Sequence, residues 1–170
     1  MNMLRFAPLA LAFLAAPAFA HEGMIHDGCP TGQEFSAGDI TVTGAFTRAT
    51  LDNARVGAGY MTIANAGAGT DRLVAATSEV TPTVELHNME VKDGMMTMAQ
   101  VEGGIEVPAG GSVSLAPGGY HIMFIGPNQP FKEGECVALT LTFAEAGELP
   151  VQLSVGPVGA SEAPMGEHGH

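Results

Sequence analysis

From residue 39 onward the chain is written as short β-forming runs broken by turn residues, and this constrains the fold more than any other feature. The runs are "DITVTGAFTRAT", "GAGYMTIANAG", "DRLVAATSEV", "TVELHNMEV", "GMMTMAQV", "GSVSLAPGGYHIMFIG", "ECVALTLTFAEAG" and "LPVQLSVG". Each is rich in Val, Ile, Thr or aromatics and is bounded by Gly, Pro, Asn or Asp. No amphipathic helical period follows residue 20. Turns at this spacing predict one all-β domain, a sandwich or barrel, over 39–156.

The flanks read differently. Residues 1–20, "MNMLRFAPLALAFLAAPAFA", have one Arg, an apolar middle and an Ala-Phe-Ala ending, the pattern of a cleaved secretory signal. No Cys follows that cleavage point to carry a lipid, and no second apolar span appears. The expected location is therefore the periplasm, with no stable membrane insertion after cleavage. Residues 21–38 are expected to be an irregular lead-in. Residues 157–170, "PVGASEAPMGEHGH", are expected to be a disordered tail.

Charge excludes one partner class. Without Arg5 the chain keeps five Lys and Arg against 18 Asp and Glu. Phosphate backbones need basic patches, so nucleic acid is not an expected partner. The two cysteines, Cys29 and Cys136, would form a disulfide in an oxidising compartment. A buried thiol or a metal ligand are the alternatives.

One hairpin can be read in register. Asp93-Gly94 is a two-residue turn signal. With those residues as the loop, Met89 faces Met98 and Val91 faces Met96. His87, Met89, Val91, Met96 and Met98 then share one face, with Met98 diagonal to His87. Strand parity also places His121 and Met123 of "HIM" together, opposite Tyr120, Ile122 and Phe124. Two His-x-Met pairs, at 87–89 and 121–123, plus Met98 make a donor set of imidazole and thioether. Thioether sulfur is soft and selects Cu(I); zinc sites use Cys, His and carboxylate instead. The competing reading is packing, since Met fills gaps in cores. Met61 and Met95 are read as packing, and Met89 and Met96 are balanced between packing and ligation.

The spacing as a whole resembles a known family. His87, ten residues, Met98, twenty-two residues, His121, one residue and Met123 is similar to the signature of the PCuAC periplasmic copper chaperones. "AFTRAT", "GYMTIAN", "VELHNMEVKDGMMTM" and "VPAGGSVSLAPGGYHIMFIG" resemble that family too, and the likeness spans roughly 39–156. One departure is visible: the family has twenty-one residues between Met and the second His. The extra residue falls in "VEGGIEVPAGG", as a second Gly. The resemblance implies a cupredoxin-like Greek-key β fold. It implies one Cu(I) held by His87, Met98, His121 and Met123. It further implies delivery to the dinuclear copper site of a respiratory cytochrome oxidase subunit II, or exchange with another copper carrier.

The ends add a second set. His21 with a free amine, and His26 nearby, could chelate Cu(II), as could Met165, His168 and His170 of the tail. Related chaperones often carry such a tail. Catalysis finds no motif: neither G-x-S-x-G nor H-E-x-x-H is present, and no enzyme activity is expected. A blue-copper electron carrier would need a Cys thiolate with two His, and Cys136 has no His or Met close behind it. The rival readings are a copper buffer or resistance protein using the same ligands, and a β-sandwich interaction module in which Met and His merely pack.

Overall fold

The computed structural model describes residues 26–164, with side chains from residue 28. Twelve strands follow in chain order. They are β1 (His26–Asp27), β2 (Glu34–Ala37), β3 (Ile40–Arg48), β4 (Val56–Asn65), β5 (Asp71–Thr77) and β6 (Thr83–Lys92). Then come β7 (Met95–Gln100), β8 (Ile105–Val107), β9 (Ser112–Leu115), β10 (Tyr120–Ile125), β11 (Glu135–Phe143) and β12 (Gly147–Gly156). Among the described residues there is no α-helix.

The strands join in the order β7-β6-β10-β4-β3-β12-β11-β5-β8, with β1, β2 and β9 pairing to β11, β3 and β4. All pairs are antiparallel except β12 with β3. The jumps from β6 to β10 to β4, and from β3 to β12, are the long returns of a Greek key. The all-β, cupredoxin-like expectation holds.

Alternation builds the core. Ile122 and Phe124 of β10 join Leu139 and Leu141 of β11 and Val151 and Leu153 of β12 in one apolar cluster. Gly59 of β4 is needed for this closure. A Cβ there would stand 2.7 Å from Leu153 Cδ2 and 3.2 Å from Phe124. The core-facing side of β10 and β4 is therefore packed without space, and His121 and Met123 occupy the opposite side.

Two expectations are corrected. The lead-in over 21–38 contains two strands: β1 pairs with β11, and β2 pairs with β3 in the register Ala37↔Ile40 and Glu34↔Thr43. Gly38, at φ 56°, turns the chain there, and Phe35 is partly buried against the core. The first part of the tail also has defined contacts. Arg48 Nε donates to the Ala160 carbonyl at 2.7 Å, and a Cβ on Gly156 would meet Ala160 and Pro164. Residues 1–20, His21, Met165, His168 and His170 lie outside the described residues. The backbone of His26 pairs with Cys136, while its side chain lies outside them.

Cys29 and Cys136 form a disulfide across 107 residues. It ties the N-terminal segment to β11. Both cysteines of the sequence are committed to it.

Candidate metal centre

The β6–β7 hairpin has the register that Asp93-Gly94 predicts. Met89 faces Met98, Val91 faces Met96, and His87 faces Gln100. Asp93 and Gly94 both take positive φ, 53° and 76°, as the favoured two-residue hairpin turn requires.

β10 lies on the other side of β6 and pairs His121 directly with His87. The same row continues to Tyr60 of β4, which β10's register places beside His121, and then to Phe46 of β3. The ring centroids of His87 and His121 are 5.7 Å apart, and those of Tyr60 and His121 are 6.5 Å apart. Both histidines are buried, at 9% and 5% exposure, although they lie on the side of the sheet away from the core. A bulge in β3 between Thr43 and Phe46 sets Phe46 beside Tyr60. Burial pushes the Tyr60 phenol up, partly countered by Arg48, whose guanidinium carbon sits 5.5 Å from the ring centroid.

Each histidine uses one ring nitrogen in a hydrogen bond. His87 Nε2 is 2.7 Å from Glu85 Oε2. A carboxylate only accepts, so the neutral ring carries its proton on Nε2. Nδ1 of His87 is then a buried lone pair with no hydrogen-bond partner. For His121, Nδ1 lies 3.0 Å from the Gly119 carbonyl and donates to it, which leaves Nε2 as the lone pair. Anchoring one nitrogen through a carboxylate or a carbonyl is how metal-bound histidines are commonly oriented.

The thioethers flank this pair on the same face. Met123 is half-buried, two residues from His121 and opposite Glu85. Met98 is 48% exposed and diagonal to His87 through the hairpin register. Met89 is partly buried. Met96 is 60% exposed and Met95 is 68% exposed. The packing expectation holds for Met61, at 2% exposure, and fails for Met95. All six residues of the edge strand β7 are exposed, so among the described residues none covers them.

Among the described residues, no three His, Cys, Asp or Glu side chains form a metal-binding group. The donors that converge are two imidazoles with thioethers around them. Glu85 escaped the sequence reading. Its signal was there, since it lies two residues before His87 and so on the same face. Tyr60 had no such signal, because its place beside His121 depends on two long-range pairings. Gly103 and Gly104 lie between Met98 and His121, in the loop joining β7 and β8. Both take φ of 83°, and Gly104 lies against the Leu73 carbonyl.

A family model described as "Putative lipoprotein LpqE-like" matches residues 40–155, from the first residue of β3 almost to the end of β12. The chain belongs to the LpqE-like family. The LpqE-like chain is 37% identical over 98 residues to "Putative lipoprotein Lxx21020" of Leifsonia xyli subsp. xyli, covering 58% of this chain and 59% of that one. It thus spans well under two thirds of that relative. Among solved structures it is similar to the PCuAC domain of PmoF2. The apo form gives a TM-score of 0.65 at 26% identity, over 77% of this chain and 100% of that one. The copper-bound form gives 0.63 at 25% identity, over 78% and 99%. The CuI form of DR1885 from Deinococcus radiodurans gives 0.55 at 29% identity, over 73% and 80%. The LpqE-like chain therefore has the PCuAC fold that its His-Met spacing resembles.

Proposed function

We propose that this protein is a secreted copper carrier. It binds one Cu(I) through His87, Met98, His121 and Met123 and passes it to another copper protein. The observation that carries the reading is the buried pair of His87 and His121, directly opposed on β6 and β10. The unpartnered Nδ1 of His87 adds to it, because a buried lone pair without a partner is costly unless something binds there. Copper in the PmoF2 and DR1885 structures supports the choice of metal. The thioether share of the donor set supports the cuprous state.

The client we propose is the dinuclear copper site of a cytochrome oxidase subunit II. A carrier must bind firmly yet release by ligand exchange, and neutral imidazole and thioether ligands allow this without protonating a thiolate. The protein acts without a catalytic step of its own. The disulfide supports an oxidising compartment, and among the described residues no helix is long and apolar enough to cross a membrane. We further propose that each end binds Cu(II) separately, His21 with a free amine and His26 at one, and Met165, His168 and His170 at the other. Loss of one Cu(II) equivalent on deleting 165–170 is the result expected for the tail.

The test is an anaerobic Cu(I) competition titration of the chain from residue 21, beside its His121→Ala/Met123→Ala variant. One tight equivalent, lost in the variant, is expected. No tight equivalent in the unaltered chain would return the His-Met face to mere packing. Transfer to a copper-free oxidase subunit II domain then tests the client. Retention of copper by the carrier would favour a buffer.

A further inference from the structure

The β6–β7 hairpin carries more thioether than the four-ligand set uses. Met89 and Met98 are a direct cross-strand pair, and Met96 is diagonal to Met89 across the same two strands. Cβ atoms of such direct pairs lie about 5 Å apart, and diagonal neighbours lie about 7–8 Å apart at the backbone, within joint reach of three flexible side chains. All three project on the face that bears His87, since partners in an antiparallel pair share a face and parity repeats every second residue.

Packing does not account for Met96 and Met98. Met96 is 60% exposed and Met98 is 48% exposed, with Val91 beside them at 71%. The strand that carries Met96 and Met98 is an edge strand with every residue exposed. The histidines one row away are 9% and 5% exposed. The face therefore grades from open thioethers at the hairpin to enclosed imidazoles at the β6–β10 pair. Met98 belongs to both ends of that gradient.

We propose that Met89, Met96 and Met98 form an outer thioether site. It takes a soft monovalent ion from solution or from a donor and hands it to His87 and His121, Met98 remaining bound throughout. This rests on the Cu(I) reading above and adds the route by which the ion reaches the enclosed pair. No proton or electron changes hands. The thioether bonds of Met89 and Met96 to the ion break as bonds to His87 Nδ1, His121 Nε2 and the Met123 sulfur form, and the ion stays monovalent. Exchange through a shared ligand avoids a free ion in water, and three thioethers alone bind more weakly than a set with imidazole, so the step runs inward.

Two measurements test this. In the His87→Ala/His121→Ala chain, labelled at the methionine methyl groups, one equivalent of Ag(I) is expected to shift Met89, Met96 and Met98 together and to leave buried Met61 in place. A shift confined to Met98, or none, would overturn the outer site. In the otherwise unaltered chain, Met89→Leu/Met96→Leu is expected to slow Cu(I) uptake from a cuprous chelate by about tenfold or more, the scale expected when an intramolecular second step is lost. This slowing should exceed any loss of affinity. A rate that falls only in proportion to affinity would overturn the relay. The Cu(I) reading fails on a different result, the absence of a tight equivalent in the unaltered chain, whatever the silver titration shows.

Discussion

Glu85 and His87, two residues apart on β6, are joined by a 2.7 Å hydrogen bond from the imidazole Nε2–H to the carboxylate. The bond fixes which nitrogen of His87 is left bare. Removing the carboxylate lets the ring turn and change tautomer. Glu85→Ala is expected to weaken Cu(I) binding by roughly 10- to 100-fold, the usual scale for loss of an orienting partner. Glu85→Gln, whose amide oxygen can still accept, should lose less. A competition titration of both variants checks the order. Equal affinities in Glu85→Ala and the unaltered chain would mean that the carboxylate does not orient the ring.

Met61 and Met98 separate packing from ligation. Met61 is 2% exposed in the core, so Met61→Ala should cost about 2–5 kcal/mol of stability. Met98 is half open, and Met98→Leu should change stability by less than about 0.5 kcal/mol while weakening Cu(I) binding. Denaturant unfolding and copper titration of both variants give the comparison.

Asp71 ties β5 to the β11–β12 turn. Its carboxylate accepts from the backbone N–H groups of Arg72, Glu145 and Ala146 at 2.7, 2.9 and 3.0 Å. Burial pushes its pKa up, but the N–H groups of Glu145, Arg72, Ala146 and Ala144 outweigh this and hold it below the ordinary carboxylate value. A carboxyl depressed in the folded state stabilises fully above its unfolded pKa. That contribution should be intact at neutral pH and fade as pH falls below about 4, through the folded value. Asp71→Asn should lower stability at pH 7 by about 2 kcal/mol and flatten this acid limb. Unfolding followed from pH 7 to pH 3 checks both.

The Cys29–Cys136 bridge closes a loop of 107 residues. Loop-closure entropy alone gives about 4–5 kcal/mol for a loop of that length. Reduction, or Cys29→Ser/Cys136→Ser, should therefore lower Tm by on the order of 10 °C. The bridge joins the N-terminal segment to β11, whereas the histidine pair is held by β6 and β10, so Cu(I) affinity below Tm should be retained. Thermal scans with and without reductant, beside a copper titration, distinguish the two effects.

Strand parity and one turn were enough to read half of the site from sequence. Period-two alternation puts His121 with Met123, and His87 with Met89, whatever the tertiary fold. Asp93-Gly94 fixes the hairpin register because a two-residue loop leaves no freedom to slip. The second strand of the β2–β3 hairpin was legible, but its first strand was missed. "EFSA" is short and half exposed, although the Gly38-Asp39 turn beside it is itself a hairpin signal. Met95 was misjudged because sequence shows that a residue is apolar and says nothing of what covers an edge strand. Glu85 was within reach of the same parity argument that found His87 and Met89.

The sequence by itself determined most of the strands, their faces and the chemical kind of donor, because these follow from local periodicity and side-chain identity. Tertiary structure alone decided that His121 stands opposite His87, with Tyr60 next in the row and a ring nitrogen free on each histidine. β7, β8 and β9 lie between β6 and β10 along the chain. Their pairing is chosen by burial of Ile122, Phe124 and Leu86 in a shared core, a competition among all twelve strands that no local pattern encodes.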